Sequence, residues 1–243
     1  MRNVLIVAAH PDDEILGVGG TVRVLADAGA VVRALILAEG QTSRTEKRED
    51  TPPDVIIRLR ENAAAAAEIM GFASIDFCDF PDNRMDGVDL LDIIKAVSRY
   101  IEKYSPDTIF THHHGDLNID HRRACEAVLT ACRPTGKDTV RRIYAFETPS
   151  STEWNYTYEN SFRPNVYVDI SEVMDAKTRG MECYESERAE FPHPRSGEAL
   201  RALAQYRGSN SGMEYAEGFM LLREILEIER LRDWYPMGRI GGV

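Results

Sequence analysis

The chain has 243 residues, 43% hydrophobic and 28% charged, the balance of a soluble globular protein long enough to fold without disulfides or a structural metal. Its net charge of −11, from 29 basic and 40 acidic residues, argues against general binding to nucleic acid or to an anionic membrane surface. The longest apolar run near the N-terminus, Val4 to Ala9, is too short for a signal-peptide core or a membrane span, so a cytoplasmic location is expected. Cys78, Cys125, Cys132 and Cys183 show neither C-x-x-C nor zinc-ribbon spacing and are expected to act as small core hydrophobes in a reducing compartment.

In chain order, Asn3 to Ala9 predicts a strand buried on both faces, because its apolar residues run without alternation. A polar loop follows, then a helix from Val18 to Ala28 closed by Gly29. Val31 to Ala38 predicts a second strand, and the charged, Pro52-Pro53-containing stretch 39–53 a loop. Asp54 to Met70 reads as a helix ended by Gly71, Ser74 to Cys78 as a third strand, and Leu90 to Tyr104 as a helix. Asp107 to Thr111, Ile119 to Cys132 and Arg142 to Glu147 then read as strand, helix and strand. This alternation implies an α/β fold with right-handed βαβ crossovers and a mainly parallel sheet flanked by helices. Past residue 150 the pattern is less regular. Val166 to Ile170 predicts a strand, Ser171 to Glu187 a helix capped by Ser171, and Glu198 to Arg207 another helix. The stretch from Tyr215 onward fits a helix or an edge strand. No repeat, low-complexity linker or shift in composition divides the chain, so one domain over residues 1–243 is expected.

Ligands of such sheets bind beyond the carboxyl ends of the strands, which singles out the loops after the first, second and fourth. After the first stand His10-Pro11-Asp12-Asp13-Glu14, four ionisable side chains in five residues. A solvated acidic loop with an aspartate helix cap is one reading. A divalent-metal site is the other, since imidazole and carboxylate together suit zinc. After the fourth, Thr111 to His121 holds four of the six histidines: His112, His113, His114 and His121. If these strands are neighbours, the two loops face each other, and a His₂Asp set with an open fourth position is the pattern of a catalytic zinc.

Ala9-His10-Pro11-Asp12-Asp13-Glu14, followed by Gly17 and Gly19-Gly20-Thr21 and, downstream, Asp120-His121, resembles the LmbE-like (PIG-L) family of zinc-dependent deacetylases. The resemblance covers residues 3 to 147, with Arg58-x-x-Glu61 and Met70-Gly71 also similar to the family. It implies a Rossmann-like core, removal of an acetyl group from an N-acetylated amino sugar, a Zn²⁺ cofactor and a homo-oligomer. It places the metal ligands on His10, Asp13 and His121, the general base on Asp12, and an orienting carboxylate on Asp120. Where the family often reads H-x-D-H, this chain has Asn118-Ile119-Asp120-His121. Asn118 donates hydrogen bonds but has no proton to give a leaving amine. His193, bracketed by Pro192 and Pro194, is the favoured replacement acid, with His113 and His114 as alternatives. The expected substrate is a small soluble amino sugar or conjugate, since no hydrophobic anchor points to a lipid-bound one.

Two other functions compete. Gly17-Val18-Gly19-Gly20 after a strand suggests a dinucleotide site, but Val22 stands in the sixth position and three carboxylates would repel a pyrophosphate. These glycines are better read as allowing close helix packing. A non-enzymatic metal-binding module would have no use for Asp12. Gly208-Ser209-Asn210-Ser211-Gly212 fails the nucleophile-elbow pattern at Asn210, and the acidic stretch Glu182 to Glu190 reads as a solvated helix face.

Overall fold

A computed structural model describes residues 1–135 and 140–226. Among the described residues thirteen principal elements follow one another, alternating as far as β5: β1 Asn3–Ala8, α1 Asp13–Asp27, β2 Val31–Ala38, α2 Pro53–Met70, β3 Ser74–Phe80, α3 Leu90–Tyr104, β4 Thr108–His112, α4 Ile119–Ala131, β5 Arg142–Phe146, β6 Val166–Asp169, α5 Met174–Glu182, α6 Gly197–Ser209 and β7 Ala216–Glu224. The seven strands form one sheet in the order β3-β2-β1-β4-β5-β7-β6. β1 to β5 are parallel, and β7 joins antiparallel to both β5 and β6.

The apolar run of β1 is divided between two cores. Val4 and Ile6 join a cluster with Ile15, Met70 and Leu200, beneath α1, α2, α5 and α6. Leu5 and Val7 point the opposite way, toward Ile93, Val97 and Val128 of α3 and α4. A strand covered on both faces needs an apolar residue at every position, hence the absence of alternation. Pro52 and Pro53 start α2, where a missing N–H costs nothing, and Gly71 ends it at φ 79°.

Three expectations are corrected. α1 begins at Asp13 rather than Val18, because acidic Asp13 and Glu14 suit the first turn of a helix, whose free N–H groups favour negative charge. Ser171 does not cap a long helix: its hydroxyl bonds the Asp169 carboxylate, and α5 starts at Met174 and ends at Glu182. Beyond Glu182 the chain leaves the helix, so that Tyr184 reaches Glu14 and Glu187 reaches Arg44. The stretch after Tyr215 is a strand, but not an edge: β7 lies inside the sheet and β6 is the edge.

The glycines of α1 serve packing. A Cβ on Gly17 would collide with the Phe146 ring, and one on Gly20 would lie 2.8 Å from Ile170. In mid-helix, side chains from the C-terminal arm take backbone groups of α1. Glu217 accepts from the N–H of Gly20 (2.9 Å) and Thr21 (2.7 Å), while Lys177 donates to the Leu16 carbonyl (2.9 Å) and pairs with Glu217 at 2.5 Å. Both side chains are buried. Among the described residues no helix is long and apolar enough to cross a membrane.

Candidate active site

β1 and β4 are neighbours, so the loops that leave their carboxyl ends meet. His10 follows β1, Asp13 opens α1, and His121 lies in the first turn of α4. His10 Nδ1 and Asp13 Oδ2 are 3.2 Å apart, and His121 Nε2 lies 3.3 Å from each. A tetrahedral ion with ligands at about 2.0–2.1 Å requires donor separations of about 3.3–3.4 Å. The three atoms therefore fit a divalent metal such as zinc without rearrangement. The electrostatics agree. Burial alone would pull the His121 pKa down, yet Asp13 and Asp116 push it up to about 9, so this spot favours a positive charge. A proton or a metal cation can supply it.

Each imidazole is backed by a carboxylate. His10 Nε2 lies 3.1 Å from Asp120 Oδ2, and Asp120 is fixed by the N–H groups of Asn83 (2.7 Å) and Met85 (2.9 Å). His121 Nδ1 lies 3.2 Å from Asp116 Oδ1. Asp116 accepts from Ser151, Thr152 and the Asn118 N–H; burial opposes its charge, but His121 and these donors hold its pKa near 2. Backing carboxylates of this kind set the tautomer and ring orientation of metal-bound histidines.

Asp12, 2% exposed, caps α1 at φ 119°, a strained conformation for a residue with a Cβ. Its N–H donates to Glu14 Oε2 (3.0 Å), and its carbonyl accepts from Ile15 and Leu16. Glu14 in turn receives the Tyr184 hydroxyl; burial raises its pKa to about 7 against these hydrogen bonds. The Asp12 carboxylate meets Arg195 Nη1 at 2.9 Å. Burial drives the Asp12 pKa well above the ordinary carboxylate range, although Arg195 opposes the shift.

The remaining residues singled out in the sequence divide. Asn118 is the N-cap of α4: its Oδ1 accepts from the Asp120 N–H (2.8 Å) and its Nδ2 donates to Asn83 (2.7 Å). His112 is buried against His121, with ring centroids 3.9 Å apart. Its Nε2 accepts from the Ala9 N–H (2.8 Å), which leaves Nδ1 to face Thr148. Burial and the nearby His121 hold its pKa well below the usual value, so it stands neutral. His113 turns away to the Asn160 carbonyl (2.8 Å), and His114 is exposed. The structure does not bring His193 into the cluster. Its ring is exposed and its Nδ1 accepts the backbone N–H of Arg195 (3.1 Å), so the proline-bracketed loop contributes Arg195 instead.

Asp82, Asp116 and Glu187 were not picked out from the sequence. Asp116 sits within the histidine-rich loop, where a carboxylate beside a ligand was a usable signal. Asp82, 3.4 Å from His10 Nε2, follows β3, whose end lies outside the three loops that the sequence singled out. Glu187 belongs to the acidic stretch taken for a solvated face; it is in fact nearly buried, holding Arg44 and Arg195.

His10 and His121, with Asp12, Asp82 and Asn118, line a cavity of about 140 Å³ walled by loops from all five parallel strands and closed by Glu187 and Arg195. A larger cleft of about 810 Å³ between α5 and α6 shares only Arg195 with it and contains none of the three donors. The chemistry belongs to the smaller one. Gly17, Gly19 and Gly20 lie inside α1 and away from this cavity, which leaves the dinucleotide reading without a phosphate cradle.

The chain is similar to known proteins over most of its length. The profile of the family described as PIG-L: GlcNAc-PI de-N-acetylase matches residues 5–132. A diacetylchitobiose deacetylase of Thermococcus kodakarensis is 31% identical over 228 residues, covering 90% of this chain and 82% of that one. Among solved structures, the conserved protein TT1542 of Thermus thermophilus superposes with a TM-score of 0.74 at 24% identity, over 94% of this chain and 98% of that one. GalB, the 4-carboxy-2-hydroxymuconate hydratase of Pseudomonas putida KT2440, superposes with a TM-score of 0.73 at 27% identity, over 93% and 98%.

Proposed function

We propose, from the premise that the chain belongs to the PIG-L (GlcNAc-PI de-N-acetylase) family, that it hydrolyses the N-acetyl group of a small amino sugar or its conjugate. The observation that carries this reading is the triangle of donor atoms from His10, Asp13 and His121, with the buried Asp12 carboxylate beside it. These three residues would hold a divalent metal, read as zinc from the His₂Asp donor set. When bound, such an ion lowers the pKa of a water to about 7 and polarises the amide carbonyl.

The chain supplies the rest. Asp12 takes a proton from the attacking water and returns it to the amine nitrogen as the C–N bond breaks, leaving acetate and a free amine. Asp120 and Asp116 hold His10 and His121 in place. Asn118 acts by capping α4 and fixing Asp120 rather than as an acid, and the position of His193 supports a role in shaping its loop. One domain carries the whole activity in this reading, since both arms of the sheet line one cavity. A cytoplasmic homo-oligomer completes it, and the four cysteines, all free in the structure, suit a reducing compartment.

The hydratase relative raises a second reaction class. Its substrate, by name, carries carboxylates, and a site for one would need uncompensated cations. Here both guanidinium groups lining the cavity are already paired, Arg195 with Asp12 and Glu187, Arg44 with Glu187. The cavity suits a neutral sugar amide better. The deciding experiment supplies metal-loaded protein with a panel of N-acetylated amino sugars and with unsaturated carboxylates. Release of acetate and amine from a sugar is expected; turnover of the carboxylates alone would reverse the assignment.

A further inference from the structure

Arg195 reaches Asp12 from a loop 183 residues away, beyond the segment that matches the family profile. Its Nη1 lies 2.9 Å from Asp12 Oδ2 and 3.0 Å from Glu187 Oε2, and its Nε donates to Ser150 Oγ at 2.8 Å. Three partners from three separate segments give a planar, rigid guanidinium one orientation. The anchor is itself held. Arg44 donates to both Glu187 oxygens (2.7 and 2.8 Å), and Gln41 adds a third contact at 2.8 Å. The backbone on either side of Arg195 is fixed too, by His193 accepting its N–H and by Ser196 capping α6.

We propose that Arg195 is a positioning residue that acts through Asp12, with Glu187 setting where its guanidinium stands. This rests on the deacetylase reading. Asp12 must meet two partners in turn, the water that loses a proton and the amine that gains it. The carboxylate ends the cycle as it began, and Arg195 remains charged throughout and exchanges no proton. Its hydrogen bond holds one Asp12 oxygen, which keeps the carboxylate from swinging between transfers. Glu187 keeps the guanidinium from following Asp12 into the cavity. The sequence marks the proline-bracketed loop that carries Arg195, but not the partners of its side chain, and Glu187 there resembles an ordinary surface charge.

The experiment compares metal-loaded wild type with Arg195→Ala, Arg195→Lys and Glu187→Gln. A misplaced base costs about 10²-fold in kcat, so Arg195→Ala should lose that much, with KM changed by no more than about threefold. Metal content should be unchanged, and added guanidinium chloride should restore part of the rate. Arg195→Lys, which keeps the charge without the fork, should fall between, and Glu187→Gln should lose about tenfold in kcat. A loss confined to KM, or none, overturns the proposal. A crystal structure of metal-loaded Arg195→Ala gives a second readout that needs no turnover. The Asp12 carboxylate should leave its wild-type position; an unmoved Asp12 overturns the proposal even if the rate falls. Should wild type release no amine from any sugar, the deacetylase reading fails, while the crystallographic comparison still decides whether Arg195 positions Asp12.

Discussion

The parallel arm, β1 to β5, and the antiparallel arm, from β6 to β7, build the site by different means. The parallel arm places its donors through regular geometry. Neighbouring strands end together, so residues just past β1 and at the start of α4 converge. The antiparallel arm places single side chains by long reaches: Arg195 onto Asp12, Tyr184 onto Glu14, Lys177 and Glu217 into the middle of α1. One arm brings together the donors proposed to hold the metal, and the other holds Asp12, the proposed base, and α1 in place. A fold can therefore keep its donor set while the second arm varies what surrounds it.

The comparison breaks first if the donors are not where the metal binds. His121→Ala should reduce bound metal from one ion per chain to near zero after dialysis and abolish amine release, while leaving the helix content by circular dichroism intact. Elemental analysis checks it, and full metal content in that variant would remove His121 from the site.

The second arm's hold on α1 is the next largest effect. Lys177 and Glu217 are both buried and satisfy each other together with three backbone groups of α1. Removing one member of a buried pair leaves an uncompensated charge and costs about 3–5 kcal/mol. Lys177→Met should destabilise by about that much in urea unfolding, and adding Glu217→Gln should recover part of the loss. If the two substitutions simply add, the groups do not act as a pair.

Asp12→Asn tests the division between holding metal and doing chemistry. It should keep its metal and lose at least about 10² in rate, the weight of a positioned general base. Loss of metal would recast Asp12 as a ligand. Asp120→Asn should act more mildly and on the other quantity, lowering metal affinity by about 10–100-fold through His10. A chelator competition reads this directly, and an unchanged affinity would separate Asp120 from the centre.

Legibility in the sequence follows the same boundary. His10, Asp12 and Asp13 were readable because a strand and its following turn bring neighbours in sequence together in space. His121 was readable because the next parallel strand delivers the next such turn. The family resemblance suggested their roles, and the structure brings donor atoms of His10, Asp13 and His121 within 3.2–3.3 Å of one another. In the antiparallel arm no spacing rule applies. Glu187 looks like any glutamate in an acid-rich stretch until Arg44 and Arg195 are seen on it. His193 drew notice because its prolines marked a shaped loop, and the loop is shaped, but the side chain it delivers is two residues on. Likewise, Ser171 had the chemistry of a helix cap, while Asp169 offered its hydroxyl a nearer partner.

Asn118 gives the smallest effect and the finest division between the arms. The sequence marked it as the position where an acid was missing. In the structure its carbonyl oxygen caps α4 through the Asp120 N–H, and its amide binds Asn83, whose own N–H holds Asp120. Both ends of the side chain thus serve the carboxylate behind His10. Losing an N-cap costs about 1 kcal/mol, so Asn118→Ala should lower stability by that amount. Asn118→Ser, which restores an acceptor at the cap, should recover most of it. Because Asp120 keeps its bonds to Asn83 and Met85, the turnover rate of either variant should fall by less than about tenfold, the low end of what a support behind a ligand costs. Unfolding midpoints together with kcat check both. A fall of 10²-fold or more in kcat for Asn118→Ser, with stability and metal retained, would mean that the amide touches substrate. The proton economy assigned to Asp12 would then have to include it.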